Sequence, residues 1–201
     1  MIREPNKRTG IFLANAEACL GGGVKSVVMA PRLDHFGPMI EADIHLADSF
    51  RRSMRRVAST VNVISICVDG QPMGITATAV SSISLDPPSL LVCINRAAAV
   101  HAPMGDMSHF RVNVLHHDQI EIARMFADRT QHALRFLSGW EVGAAGPPRL
   151  LDAQSTILCR RLDSHSFGTH SIFIGVVEEA ESRDEVDPLV YLDGRYGRAD
   201  V

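Results

Sequence analysis

Residues 74–88 read Gly-Ile-Thr-Ala-Thr-Ala-Val-Ser-Ser-Ile-Ser-Leu-Asp-Pro-Pro. Met73–Leu85 is predicted to run as one extended segment, stopped at Asp86-Pro87-Pro88 because proline cannot donate to a strand ladder. In an extended chain Thr76, Thr78, Ser82 and Ser84 share one face, while Ile75, Ala77, Ala79 and Ile83 share the other. Four small hydroxyls on one face can donate to a polar ligand without crowding it. By pattern alone a solvent-facing strand explains them too, since threonine suits strands and serine tolerates exposure.

The flanking sequence is also mostly strand. Val61–Val68 is rich in β-branched residues and ends at Asp69-Gly70, a hairpin signal. Leu90–Ile94 is a short apolar strand, Phe110–Leu115 alternates, and Leu150–Arg160, Ser171–Val177 and Leu189–Leu192 are further candidates. Phe50, Met54, Val57 and Ala58 fall at helical spacing behind Asp48 or Ser49 as N-cap, with Arg51, Arg52, Arg55 and Arg56 as a solvated face. Asp118–Glu121 has the spacing of a capping box, opening a helix whose face carries Ile122, Ala123 and Phe126. The expected total is six or seven strands and about three short helices. Without regular helical crossovers, this pattern points to a mainly β protein built as an antiparallel barrel.

At 46% hydrophobic and 21% charged residues, the chain has enough apolar material for a core. A net charge of -3 argues against general affinity for nucleic acid or an anionic membrane. No apolar run is long enough to span a bilayer, and Asn15 and Glu17 interrupt the only candidate leader, so the expected compartment is the cytoplasm. Residues 1–45 lack a sustained period and are expected to be a flexible extension, with the folded domain at 46–201. Gly21–Ser26 is not a phosphate-binding loop, because Val24 intervenes where glycine must precede the lysine.

Cys19, Cys67, Cys93 and Cys159 are widely spaced, and Cys93 in its apolar strand is expected to be a small buried hydrophobe. Common hydrolase and dinucleotide fingerprints are absent. No spacing resembles a zinc site, and His116-His117 is expected to point to opposite faces of a strand, so no metal is expected.

The stretch from Gly74 to Pro88 closely resembles the signature of the flavin reductase family, the small reductase components of two-component flavin monooxygenases. The resemblance continues in order through Leu91–Asn95, Phe110–Leu115, Arg135-Phe136 and Gly168-Thr169-His170. It then takes in the Ile-x-Ile-Gly-x-Val strand at Ile172–Val177, and Pro188-Leu189 leading to Tyr196. Matches span nearly three quarters of the chain.

The resemblance implies a six-stranded antiparallel Greek-key split barrel that forms a homodimer. It also implies non-covalent FMN or FAD, with NADH or NADPH as hydride donor, and transient delivery of reduced flavin to a separate monooxygenase. Flavin contacts are implied at Thr76, Ala77, Thr78, Ser81, Ser82 and Ser84, and also at Asn95, Arg96, Arg111, Asn113 and Tyr196. For Asn113 a second role, satisfying backbone groups at a strand end, stays open. His170 matches a histidine beside the nicotinamide, although Thr169 stands where the family usually has aspartate. Arg96–Val100 also departs from the family pattern, offering no hydroxyl for the flavin phosphate. Arg96, Arg111 or backbone N–H groups at a short helix start would replace it. Two other readings remain open at this point: reduction of a different bound acceptor such as a cobalt corrin, and flavin binding without catalysis.

Overall fold

The computed structural model describes residues 44–143 and 146–199. The chain divides into two units, Met1–Glu41 and Ala42–Val201, and only the second contains described residues. The expected extension at 1–45 therefore lies almost wholly outside them. Helix α1 (Ile44–Met54) opens earlier than expected, leaving Asp48 within it to pair with Arg51 at 3.0 Å instead of capping it.

Asp69 and Gly70 both adopt positive φ, 50° and 77°, the geometry of a two-residue hairpin turn joining β2 (Asn62–Val68) to β3 (Gln71–Ala77). The main sheet also contains β4 (Val80–Leu85), β5 (Pro88–Asn95), β6 (His109–Val114), β9 (Ser155–Phe167) and β10 (His170–Ser182). Its order is β3-β2-β6-β9-β10-β5-β4, and every pairing is antiparallel. The sheet has seven strands rather than six, and its two edges are not hydrogen-bonded to each other. Those edges, β3 and β4, are nevertheless consecutive, joined by Thr78 and Ala79 alone. So short a link holds the end of β3 beside the start of β4 and curls the sheet, while the two edges stay unpaired, leaving the barrel open along one seam.

The seam corrects the expected single strand over Met73–Leu85. The chain changes edges at Thr78–Ala79, where Ala79 O accepts from Cys93 N at 2.9 Å, and a bulge falls between Ser82 and Ser84. Each interruption breaks the two-residue alternation, so Thr76, Thr78, Ser82 and Ser84 do not form one continuous face.

Two short strands, β7 (Trp140–Glu141) and β8 (Arg149–Leu150), pair beside the main sheet. A smaller sheet pairs β1 (Ser59–Thr60), β11 (Leu189–Leu192) and β12 (Arg195–Arg198). Two helices, α2 (His101–Asp106) and α3 (Ile120–Ala127), complete the elements with a 3-10 turn at His132–Leu134. The expected capping box does not form. Gln119 stands at the N-cap of α3 without a side-chain cap, and Asp118 instead accepts from His116 Nδ1 at 2.7 Å.

Strand β2 is covered on both faces. Ile64 and Ile66 face one core with Val92, Phe110 and Phe173, whereas Val61 and Val63 face a second with Leu115, Ala123 and Phe126. Two glycines admit these packings. A Cβ at Gly74 would stand 2.9 Å from the Phe126 ring, and one at Gly175 only 2.6 Å from the Phe110 ring.

Candidate functional site

A cleft of about 500 Å³ opens where the β3 edge faces the loop after β5 and the segment following α3. That volume lies in the range of small-molecule sites, roughly 300–1,000 Å³. Its walls are small or apolar: Met73 and Ile75 from β3, Ala97–Ala99 from the loop, and Phe126 and Phe136 opposite. Its charged lining residues, Arg129 and Arg135, are cationic; His132 stands with them and no carboxylate does.

Arg135 explains how this wall holds together. Its buried guanidinium donates to four carbonyls, those of Gly74, Met125, Phe126 and Asp128, at 2.8–3.2 Å. It also lies 5.2 Å from the centre of the Phe126 ring. One cation thus ties the β3 edge to the end of α3, and burial lowers its pKa. Asp128 accepts from Thr130 and Gln131, which hold its carboxyl below the usual range and order the loop presenting Arg129.

Of the candidate residues, Thr76 and Asn95 line the cleft. Thr76 Oγ1 donates to Ala123 O at 2.7 Å. Asn95 Oδ1 accepts from Ala97 N at 2.8 Å, shaping the alanine loop. Across the strand pair from Asn95 stands His170, exposed, with Nδ1 2.9 Å from Thr169 Oγ1. The threonine hydroxyl thereby partners the ring in the place of the family's aspartate. Arg96 braces the same turn, its N–H donating to Thr169 O at 2.9 Å and its side chain to Gly168 O at 3.4 Å. Ala77 and Thr78 follow directly at the seam.

The remaining candidates lie elsewhere. Ser81, Ser82 and Ser84 are on edge strand β4, where Ser81 Oγ donates to Ser82 O and Ser84 Oγ accepts from Asp86 N at 3.0 Å. Asn113 is fully enclosed: its Nδ2 donates to Val63 O and Ser65 Oγ, and its Oδ1 accepts from Leu150 N. Arg111 pairs with Glu179 at 3.3 Å, and Tyr196 packs its ring against Tyr191 on β12 and β11. Arg129 and His132 escaped the sequence reading because no local pattern marks a polar loop residue as facing β3 across space.

Away from the cleft, His116 and His117 do not point to opposite faces. They follow β6 rather than lie in it, and their rings approach to 4.5 Å between centres.

A curled antiparallel sheet with an apolar-walled cleft along its β3 edge, whose charged lining residues are cationic, has the features of a small-molecule site. Comparison with known proteins narrows the class. The flavin reductase like domain matches residues 54–200. The reductase component of an FADH(2)-dependent resorcinol hydroxylase from Rhizobium sp. is 38% identical over 154 residues, 75% of this chain and 86% of that protein. An FMN reductase (NADH), RutF, of Methylorubrum populi is 38% identical over 151 residues, 75% of each chain. The crystal structure of BorF, the flavin reductase component of a bacterial two-component tryptophan halogenase, superposes with a TM-score of 0.70. It is 33% identical, and the match covers 76% of this chain and 97% of that one. The chain belongs to the flavin reductase family.

Proposed function

We propose that this chain is an NAD(P)H:flavin oxidoreductase that reduces FMN or FAD and passes the reduced flavin to a separate monooxygenase. The acid-free cleft carries the reading. It combines small apolar walls suited to a planar ring with Arg129 and His132 suited to a phosphate, and it is lined by Asn95, the strand partner of His170.

The flavin, when bound, supplies the two-electron acceptor chemistry. The chain supplies position. Ala77 and Ala97–Ala99 leave space for a flat ring, and Thr76, Thr78 and Asn95 offer polar groups to its edge. Arg129 and His132 neutralise the phosphate end, while Arg96 steadies the Gly168 turn that presents His170. His170 orients the nicotinamide carboxamide, its Nδ1 held by Thr169. Bringing donor and acceptor into one defined stack provides most of the acceleration that hydride transfer needs. Ser81, Ser84, Arg111, Asn113 and Tyr196 are left out of this assignment because their side chains are engaged away from the cleft, and Ser82 because it lies exposed on β4 outside the cleft lining.

The proposed assembly is a homodimer, supported by exposed apolar side chains on β4 and the outer part of β9: Ile83, Leu85 and Leu162 are 49–90% exposed. No helix among the described residues is long and apolar enough to cross a membrane. The cytoplasm, where reduced nicotinamide is made, is the proposed compartment. Residues 1–45 are proposed to be dispensable for catalysis, so a chain lacking 1–43 should keep its turnover.

The test is NADH and NADPH oxidation by the purified protein with FMN, FAD and riboflavin supplied in turn. Turnover with a phosphorylated flavin is expected, and none with any pair would overturn the proposal. Arg129→Ala should raise the KM for FMN about tenfold, the loss of one charge-assisted contact, and leave riboflavin unchanged.

A further inference from the structure

His116, His117 and Asp187 are about 70 residues apart in sequence at their extremes, yet the fold brings them together. An isolated bridge pairs His116 with Pro188, and His117 N donates to Asp187 O at 3.0 Å. One ligand-type atom from each side chain then converges: His116 Nε2, His117 Nδ1 and Asp187 Oδ2 all lie within 4.8 Å of one another. Asp187 Oδ2 is 2.6 Å from His117 Nδ1 and 4.0 Å from His116 Nε2. His116 and Asp187 are only 6% and 2% exposed.

All three atoms are buried, and none makes an aligned hydrogen bond. The 2.6 Å approach of His117 Nδ1 to Asp187 Oδ2 is that of an ion pair, but it is not aligned as a hydrogen bond, so the three atoms stand together as a preformed ligand set. His116 is already oriented for the purpose. Its Nδ1 donates to Asp118 Oδ1 at 2.7 Å, which in the neutral ring places the lone pair on Nε2. A carboxylate behind the histidine is the usual outer partner of a metal-bound imidazole.

We propose that His116, His117 and Asp187 bind a divalent first-row transition ion of the zinc class. Two imidazoles and one carboxylate suit such an ion better than magnesium or calcium, which favour all-oxygen sites. Bonds of about 2.0–2.2 Å to each ligand call for ligand separations between the two observed here. None of the three residues lines the cleft, so the ion's role is to clip the β6–α3 connection to the start of β11.

Arg198 now holds the cation's place electrically. Its Nε donates to Asp187 Oδ1 at 2.8 Å, and its NH2 sits 2.6 Å from Oδ2 without an aligned bond. Its side chain is 56% exposed, and can retain Oδ1 while ceding Oδ2 to an ion. The arginine is therefore a competitor, and removing it should strengthen metal binding.

The experiment uses the untagged full chain, stripped with chelator and titrated with Zn²⁺ by calorimetry and with Co²⁺ by visible absorption. One high-affinity Zn²⁺ per chain and Co²⁺ bands of a low-coordinate nitrogen–oxygen site are expected. His117→Ala, at a partly exposed position that should not disturb folding, should weaken Zn²⁺ binding about tenfold or more. Arg198→Ala should tighten it, and His165→Ala, at an exposed histidine–aspartate pair elsewhere, should leave it unchanged. Absence of uptake would overturn the proposal. So would affinity indifferent to His117→Ala, or binding weakened rather than tightened by Arg198→Ala.

Discussion

The two edges of the main sheet come from one continuous stretch, and they have opposite fates. On β3, Thr76 donates its hydroxyl to Ala123 O within α3, Gly74 leaves room for the Phe126 ring, and Arg135 fastens the strand to the loop beyond. On β4, the Ser81 and Ser84 hydroxyls bond to their own strand or turn, and Ile83 and Leu85 are exposed. The residues are alike in kind; what differs is the neighbour across space. An edge strand normally has to be blunted or covered, and here one is covered by the cleft wall while the other stays exposed within the chain.

The largest break in this contrast should come from Arg135→Met. Four carbonyls, two of them in buried bonds, would lose their donor, and a cost of about 3 kcal/mol in urea denaturation is expected. A loss well under 1 kcal/mol would mean that the wall does not depend on this cation. Gly74→Ala comes next. The added carbon would meet the Phe126 ring at 2.9 Å and the Ile64 carbonyl at 3.1 Å, and the carbonyl cannot move independently of β2. Overpacking of this kind costs about 2 kcal/mol and should also narrow the cleft, lowering flavin affinity along with stability.

Thr76→Val should cost about 1 kcal/mol, the net worth of one hydrogen bond, because the isosteric side chain keeps its packing. The seam residue Thr78 is exposed, and Thr78→Val should leave stability unchanged. Comparing the flavin KM of the two variants separates a wall residue from a ligand contact. If only Thr76→Val raises it, the hydroxyl face ends at the seam.

Much of this architecture is legible in the sequence. Asp69-Gly70 marks its hairpin, Leu189–Leu192 is predicted with its observed bounds, and the antiparallel class follows from strands without crossovers. The failures share one cause. The break at Thr78–Ala79 and the bulge after Ser82 arise because a closing sheet must exchange edges, a demand set by topology and not by any residue nearby. Asp118 fails as a cap because His116 claims its carboxylate first. The cleft is half legible: Thr76 and Asn95 carry the family pattern, whereas Arg129 and His132 reach β3 only through the third dimension.

An equally small effect on stability is expected at Ser82. It is exposed on the bare edge, its hydroxyl makes no contact with the cleft wall, and Ser82→Ala should stay within about 0.5 kcal/mol of the parent stability. The same variant is informative about function, because the hydroxyl pattern of the sequence associates Ser82 with the flavin and the cleft does not include it. An unchanged flavin KM places the ligand wholly on the β3 side of the seam. A rise of about tenfold, one hydrogen bond's worth of discrimination, would place part of the ring across the seam on β4. The two edges would then be halves of one site, and their contrast would describe the chain before its partner and ligand arrive.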